Sequence, residues 1–243
     1  MNFHTLILLL SAVVFARAKL PSYITKCSIS DPKLGDCIKN QVITTIPKVI
    51  NGDKNMRIPN LDPFHLTEIE IEATETLTLK LLDIDIKGLD KVKLGNFHVD
   101  GKKMTTNVEL IFDEIDITGT YDIKGQLLIL PIQGHGPAKI TMKNAKFTFE
   151  FDWDVKPNDK GVDYIVLGES NLHYTTERSH YHFDNLFNGD KALGDQMNAF
   201  IEENSEEVSK DIEPSVSETI KLVVMGIFQS VSSSMPFSDI FDP

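Results

Sequence analysis

The chain has 243 residues, 36 acidic against 24 basic, for a formal net charge of −12 at pH 7. So acidic a balance repels phosphate backbones and anionic headgroups, which argues against nucleic acid as a partner. The length is that of one large domain or two small ones, and no Pro/Gly/Ser-rich linker divides it, so one domain is expected.

In chain order, the first feature is an apolar run through Leu6, Ile7, Leu8, Leu9, Leu10, Val13 and Val14, followed by Ala16-Arg17-Ala18. This is the form of a secretory h-region and a signal-peptidase site, with cleavage expected after Ala18. An N-terminal membrane anchor is the alternative, but it needs about 20 apolar residues, more than this run holds. The expectation is therefore a signal peptide over 1–18 and a mature chain over 19–243, secreted into an extracellular fluid. Its charge becomes −13 when Arg17 leaves. No later segment is apolar enough to span a bilayer, so no stable membrane insertion is expected. The mature chain also lacks an Asn-x-Ser/Thr acceptor for N-glycosylation.

Two cysteines follow, Cys27 and Cys37. In an oxidising compartment a pair this close in sequence closes a disulfide that staples the N-terminal segment; zinc, the competing reading, lacks a second pair of ligands. From 36 to 50, Ile38, Val42, Ile43, Ile46, Val49 and Ile50 fall at helical spacing, and Pro47 is expected to end or bend the last turn.

Between Leu66 and Phe183 apolar residues recur at every second position. The alternation is clearest in Ile69-x-Ile71-x-Ala73, Leu77-x-Leu79-x-Leu81, Val108-x-Leu110-x-Phe112 and Phe147-x-Phe149-x-Phe151-x-Trp153-x-Val155. Strands with one dry and one wet face indicate an antiparallel sheet. Gly88, Gly101, Gly119, Gly125, Gly136, Gly161 and Gly168 are expected at turns or bulges of sequential hairpins.

From Asp190 the period becomes helical, through Leu193, Met197, Phe200, Ile201, Val208, Ile212, Val216, Ile220, Val223, Val224, Ile227 and Val231. Pro214 is expected to kink or break the helix. A continuous helix over 190–232 would approach 65 Å at about 1.5 Å per residue. A globule of this size spans roughly 45 Å. The stripe is accommodated if a strongly curved antiparallel sheet lays its dry face around the helix in an elongated molecule, with the interior either filled or left open as a tunnel. The pattern does not choose between the two.

Little in the chain points to chemistry. Gly168-Glu169-Ser170-Asn171-Leu172 lacks the closing glycine and the following helix of a nucleophile elbow, and reads as a strand-end turn. His180-x-His182 puts two imidazoles on one strand face without a third ligand. His135, between glycines, reads as a solvent-held bulge residue rather than part of a tunnel mouth. Asp83, Asp85, Asp113, Glu114 and Asp116 read as an outer strand face, and Asn188-Gly189-Asp190-Lys191 as a turn and N-cap. No cofactor, metal site or catalytic residue is expected. The stripe Phe147, Phe149, Phe151 and Trp153 is by default plain core.

Several ordered motifs nonetheless carry a resemblance. Leu20-Pro21, Cys27, Asp31-Pro32, Cys37-Ile38 and Pro59-x-Leu61-Asp62-Pro63-Phe64 resemble the N-terminal signature of the insect takeout and juvenile-hormone-binding protein family. Leu130-Pro131-Ile132-Gln133-Gly134-His135-Gly136 is similar to its strand-turn pattern. The run Leu186-Phe187-Asn188-Gly189-Asp190-Lys191-Ala192-Leu193-Gly194-Asp195-Gln196-Met197-Asn198-Ala199-Phe200, continuing to Glu203-Asn204 and Pro214, resembles the entry to its long helix. Ser205 departs from the Trp common there, and the single cysteine pair is closer to the takeout branch than to the doubly bridged haemolymph carriers. The resemblance implies an α+β fold, with a long C-terminal helix wrapped by a curved antiparallel sheet around a tunnel. Within it a small hydrophobic ligand, a juvenile-hormone-like terpenoid or fatty-acid-like lipid, would be carried without turnover. Under that reading Val42, Ile46, Val99, Leu110, Phe112, Phe147, Phe149, Phe151, Trp153, Val166, Met197 and Phe200 are expected to line the tunnel. A monomer, an unidentified receptor and a role in circadian, feeding or chemosensory physiology complete the expectation. A surface-acting extracellular signalling protein with a solid core is the alternative, and a lipid-modifying hydrolase using Ser170 is a more distant one.

Overall fold

The computed structural model describes residues 20–74 and 76–243; the signal peptide expected over 1–18 lies outside them. The elements are β1 (Cys27–Ser28), α1 (Leu34–Val49), β2 (Phe64–Thr74), β3 (Leu77–Lys87), β4 (Lys93–Asp100), β5 (Thr105–Leu127), β6 (Leu130–Pro157), β7 (Asp163–Thr175), β8 (Arg178–Phe183), α2 (Lys191–Glu203), α3 (Ser205–Ser232), α4 (Phe237–Ile240) and β9 (Phe241–Asp242). A long C-terminal helix set against a large antiparallel sheet makes the fold α+β.

The spine of the sheet is the hairpin β5–β6, paired from Thr105↔Asp152 to Leu127↔Leu130. At 28 residues β6 has a contour of roughly 90 Å at about 3.3 Å per residue. Different strands flank its two ends. β3 and then β2 extend one side of β5, beside residues 116–125, and β8 pairs with β6 opposite them. At the far end β4 pairs with β5 and β7 with β6. α3 touches β2 on one margin of the sheet and β7 and β8 on the other, so it closes the gap left by the curl.

The curvature is encoded by a change of alternation. On β5 the buried positions run Val108 and Phe112, then shift phase to Ile115, Tyr121, Ile123 and Leu127. On β6 they run Ile132, Ala138, Ile140 and Met142, then shift to Ala145, Phe147, Phe149 and Trp153. The two slips face each other, at Asp113-Glu114 and at Lys143-Asn144. Asn144 has φ 46° and Lys143 pairs with Glu114. An inserted residue bends a strand and increases its twist.

Several expectations are corrected. Gly125 and Gly136 lie inside long strands, not between them, whereas Gly119 lies on β5 opposite the register shift between Leu82 and Asp85, at a bulge as expected. At Gly119 a Cβ would come within 2.8 Å of the Leu82 carbonyl oxygen, so glycine permits β3 to approach. α1 ends at Val49, in the turn that holds Pro47, as expected, whereas α3 runs unbroken through Pro214. The long helix breaks instead at Asn204 (φ −111°, ψ 27°), whose side-chain amide donates to the Phe200 carbonyl at 2.7 Å. The Asn204 backbone amide donates to the same carbonyl at 3.0 Å, so the last turn of α2 closes on a doubly engaged acceptor.

The termini are tied together. Cys27 and Cys37 form the expected disulfide, joining β1 to α1 with Cα atoms 5.9 Å apart. β1 pairs in parallel with β9, and Ser28 Oγ donates to the Pro243 oxygen at 2.7 Å. Trp153 stacks on Phe241, with centroids 6.3 Å apart.

Candidate ligand-binding cavity

Between α3 and the concave face of the sheet lies a cavity of about 150 Å³. β2 and β3 supply one wall through their alternation, with Ile69, Ile71, Leu79 and Leu81. β5 and β6 supply the floor, with Ile117, Ile123, Ile140 and Met142. The helices supply the roof at three- and four-residue steps, with Val208, Ile212, Val216 and Ile220. Sixteen of the twenty-one lining residues are Ile, Leu or Val, and none is charged. Tyr174, Tyr181 and Thr219 bring the only hydroxyls to the lining. Such a wall offers burial in place of proton transfer or ion binding.

One margin of the roof is polar. Glu213 of α3 accepts hydrogen bonds from Ser217 Oγ at 2.7 Å and from the Tyr174 backbone amide at 3.4 Å, and meets His173 Nδ1 at 2.7 Å. Burial pushes the Glu213 carboxyl up, but these partners together outweigh it and hold its pKa below the ordinary range. One helix earlier, Glu202 of α2 receives Arg178 at 2.7 Å and His180 at 2.9 Å from β8. Burial again opposes and the two partners win, lowering its pKa. Between them Tyr181 bonds Ser209 of α3 at 2.9 Å. This row of polar contacts fastens the helices to β7 and β8. The β2 side of α3 meets apolar residues, including Leu66 and Ile69.

None of the residues expected to line a tunnel lines this cavity. Val42 and Ile46 are half-buried on α1. Val99 and Trp153 belong to a terminal cluster with Cys27 and Leu34. Phe112, Phe147 and Phe149 fill the core at the β4–β7 end, with Leu110 and Phe151 packed against them. Val166 is half-buried opposite Asp154. Met197 and Phe200 join the cluster that surrounds the cavity without forming its wall. The physical reason is that the aromatic rings are engaged with one another. Phe147 stacks on Tyr174 at 5.5 Å and meets Phe112 edge-on at 5.7 Å, while Phe149 lies 6.0 Å from Phe228 of α3. The residues that do form the wall were legible as dry strand faces and as the helical stripe. What alternation does not reveal is which stretch of dry face leaves space.

The remaining candidate motifs take structural places. His180 meets Glu202, and His182 lies 3.2 Å from Asp184. Among the described residues no group of three His, Cys, Asp or Glu side chains stands close enough to hold a metal ion. His135 is exposed in the regular ladder opposite Asp122, not at a bulge. Gly168 and Ser170 lie inside β7, where the register shifts opposite Phe151 and Trp153, not at a strand-end turn. Of the acidic residues, Asp83, Asp113 and Glu114 are exposed, while Asp116 accepts from Thr141 Oγ1 at 2.6 Å. Asp190 caps α2 as expected, accepting from the Leu193 amide at 3.1 Å.

Comparison with known proteins agrees with this architecture. The crystal structure of Epiphyas postvittana Takeout 1 superposes with a TM-score of 0.78 at 23% identity, covering 90% of this chain and 100% of that one. The circadian clock-controlled protein daywake of Drosophila melanogaster is 24% identical over 96% of this chain and 92% of its own. A putative beta-carotene-binding protein of Schistocerca gregaria is 18% identical over 87% and 85% respectively. The family model described as haemolymph juvenile hormone binding protein matches residues 5–242, and the chain therefore belongs to that family.

Proposed function

We propose that this protein is a secreted, non-enzymatic carrier that holds a small hydrophobic molecule, a terpenoid or fatty-acid-like lipid, in the cavity under α3. The observation that carries the reading is the aliphatic cavity itself. A well-packed core leaves few voids larger than a water molecule, so one of about 150 Å³ is a feature needing an occupant. Burial supplies the affinity, at about 25 cal/mol per Å² of apolar ligand surface, less the cost of association. Rigid cavities of this size admit a benzene-sized guest. A longer lipid therefore enters by displacing α3, whose β2 margin is apolar and whose β7–β8 margin is held by a short row of polar contacts.

Family membership, the disulfide and the apolar N-terminal run support a secreted carrier. The name of daywake supports a place in daily rhythms. The alternative of a signal acting through its surface rested on a solid core, and the cavity removes that support. The test is displacement of a fluorescent lipid probe from wild-type protein and from Val216→Phe, which puts a ring into the cavity from the roof. Saturable, displaceable binding to wild type, weakened at least tenfold in the variant at unchanged helix content, is expected. Absence of displaceable binding to the wild type would falsify the carrier reading.

A further inference from the structure

The turn between β5 and β6 is built against the ordinary rule for turns. Two-residue hairpin loops favour Gly, Asn or Asp, because the loop needs a positive φ and faces water. Here the loop is Leu128-Ile129, closed by the Leu127↔Leu130 pair. Leu128 takes the positive φ, at 52°, and Ile129 is 78% exposed, ahead of Leu222 at 64%. A bulky residue held in that conformation is strained, and strain of this kind gathers where function uses it. Charge is missing from the surroundings in sequence: no Asp, Glu, Lys or Arg occurs from 125 to 138, in a chain of which 25% is charged. The loop is also braced. Gln126 Nε2 donates to the Leu128 carbonyl at 3.4 Å, and the Gln126 amide donates to the Thr76 carbonyl at 3.2 Å. At its base Leu127, and Leu77 opposite Gly125, belong to the cavity wall.

We propose that this turn docks the protein, shallowly and reversibly, on a lipid surface without net charge, such as a phosphatidylcholine bilayer. Size argues for lipid over a protein partner: a stable protein interface draws on about 20–30 residues a side, and the tip is a two-residue loop. Pressing aliphatic side chains into a bilayer surface asks for no matching pocket, only for apolar area and for backbone groups already paired. Charge selects among lipids. The chain carries a net charge of −12, and the tip offers no cation to draw it to an anionic surface. The other strongly exposed aliphatic residue, Leu222, is followed less well by its neighbours, since its helix turn carries the Glu218–Lys221 ion pair. Docking at Ile129 sets the hollow end of the molecule, through Leu77 and Leu127, against the bilayer. That cargo crosses there rests on the carrier reading; the docking itself does not.

The experiment sediments the mature protein with dioleoylphosphatidylcholine vesicles, titrated to millimolar lipid, for wild type, Ile129→Ser and Leu222→Ser. Wild type is expected to bind, and equally at low and high NaCl, because no charge is engaged. Ile129→Ser is expected to weaken binding about tenfold, the worth of one aliphatic side chain leaving water, and Leu222→Ser to bind as wild type does. A second variant reads the contact directly: Ile129→Trp adds an emitter at the tip beside the buried Trp153, and brominated phosphatidylcholine is expected to quench the added emission but not that of wild type. No binding by wild type, no loss in Ile129→Ser, an equal loss in Leu222→Ser, or no quenching each overturn the docking and leave the carrier standing. So does a dimer in solution that Ile129→Ser dissolves while vesicles go unbound, which would make the tip a contact between copies of this chain. Transfer of bound N-phenyl-1-naphthylamine to the vesicles is expected to slow in Ile129→Ser by the same factor as binding weakens, and an unchanged rate overturns passage of cargo at the tip. Failure of wild type to bind that probe overturns the carrier reading and leaves the docking standing.

Discussion

The two ends of the sheet are built on the same hairpin, and both lie beneath α3, yet one is filled and the other is hollow. At the β4–β7 end four of the ten buried side chains of the cluster are aromatic: Phe147 packs on both Phe112 and Tyr174, and Phe149 packs on Phe151 and Phe228. At the β2–β3 end they are mostly Ile and Leu, and the space beneath Val208 and Ile212 stays open. Aromatic side chains occupy more volume and meet edge to face across a gap. Aliphatic ones of similar hydrophobicity stop short of the helix when the sheet is held at a fixed distance. In this fold the exchange of Phe for Ile and Leu along one continuous surface separates core from cavity, and polarity has little part in it.

Matched truncations test the contrast most directly. Leu172 and Leu79 are almost equally buried, at 7% and 8% exposure, the first in the aromatic core and the second on the cavity wall. Leu172→Ala is expected to cost about 4 kcal/mol in urea unfolding and Leu79→Ala about 2 kcal/mol, because the second side chain already has empty space on one side and fewer contacts to lose. Equal costs would mean that the two ends are packed alike.

The fastening of α3 comes next in size. Glu213→Gln is expected to destabilise by about 1–2 kcal/mol at pH 7 through loss of its charged hydrogen bonds. The native pKa of Glu213 is lowered, so the stabilisation is complete above the unfolded value, about 4.3. It is lost as pH falls from there through the depressed native value. Melting curves of wild type and variant should therefore converge as pH falls to about 3, and a difference independent of pH sinks the assignment. The smallest effect is expected at Ile129→Ser in the β5–β6 turn, where the side chain is 78% exposed. Stability should move by no more than about 0.5 kcal/mol in the same melts, and a larger loss would show that the turn contributes to the hollow end.

Much of this was legible in the chain. The change from a period of two to a helical period after Asp190 located the sheet and the helices, because burial of one face imposes those spacings on any sequence. The disulfide and the Asp190 cap were legible too, since each depends on residues close in sequence. Pro214 does not break the helix because its missing donor costs one hydrogen bond, which a long helix packed on both margins of a sheet sustains. The break at Asn204 had no comparable mark. Gly136 misled for another reason: it reflects the close approach of the segment after β8, which is remote in sequence.

The sequence by itself determined the class of fold, the order of its elements, the dry faces and the local staples, all of which follow from side-chain period and neighbouring residues. Tertiary structure decided where the dry face leaves a void. That depends on the paired slips at Glu114 and Lys143, on the curvature they impart, and on the distance at which α3 then rests. That distance is set by the summed volumes of side chains brought together from strands far apart in the chain, which no local pattern records.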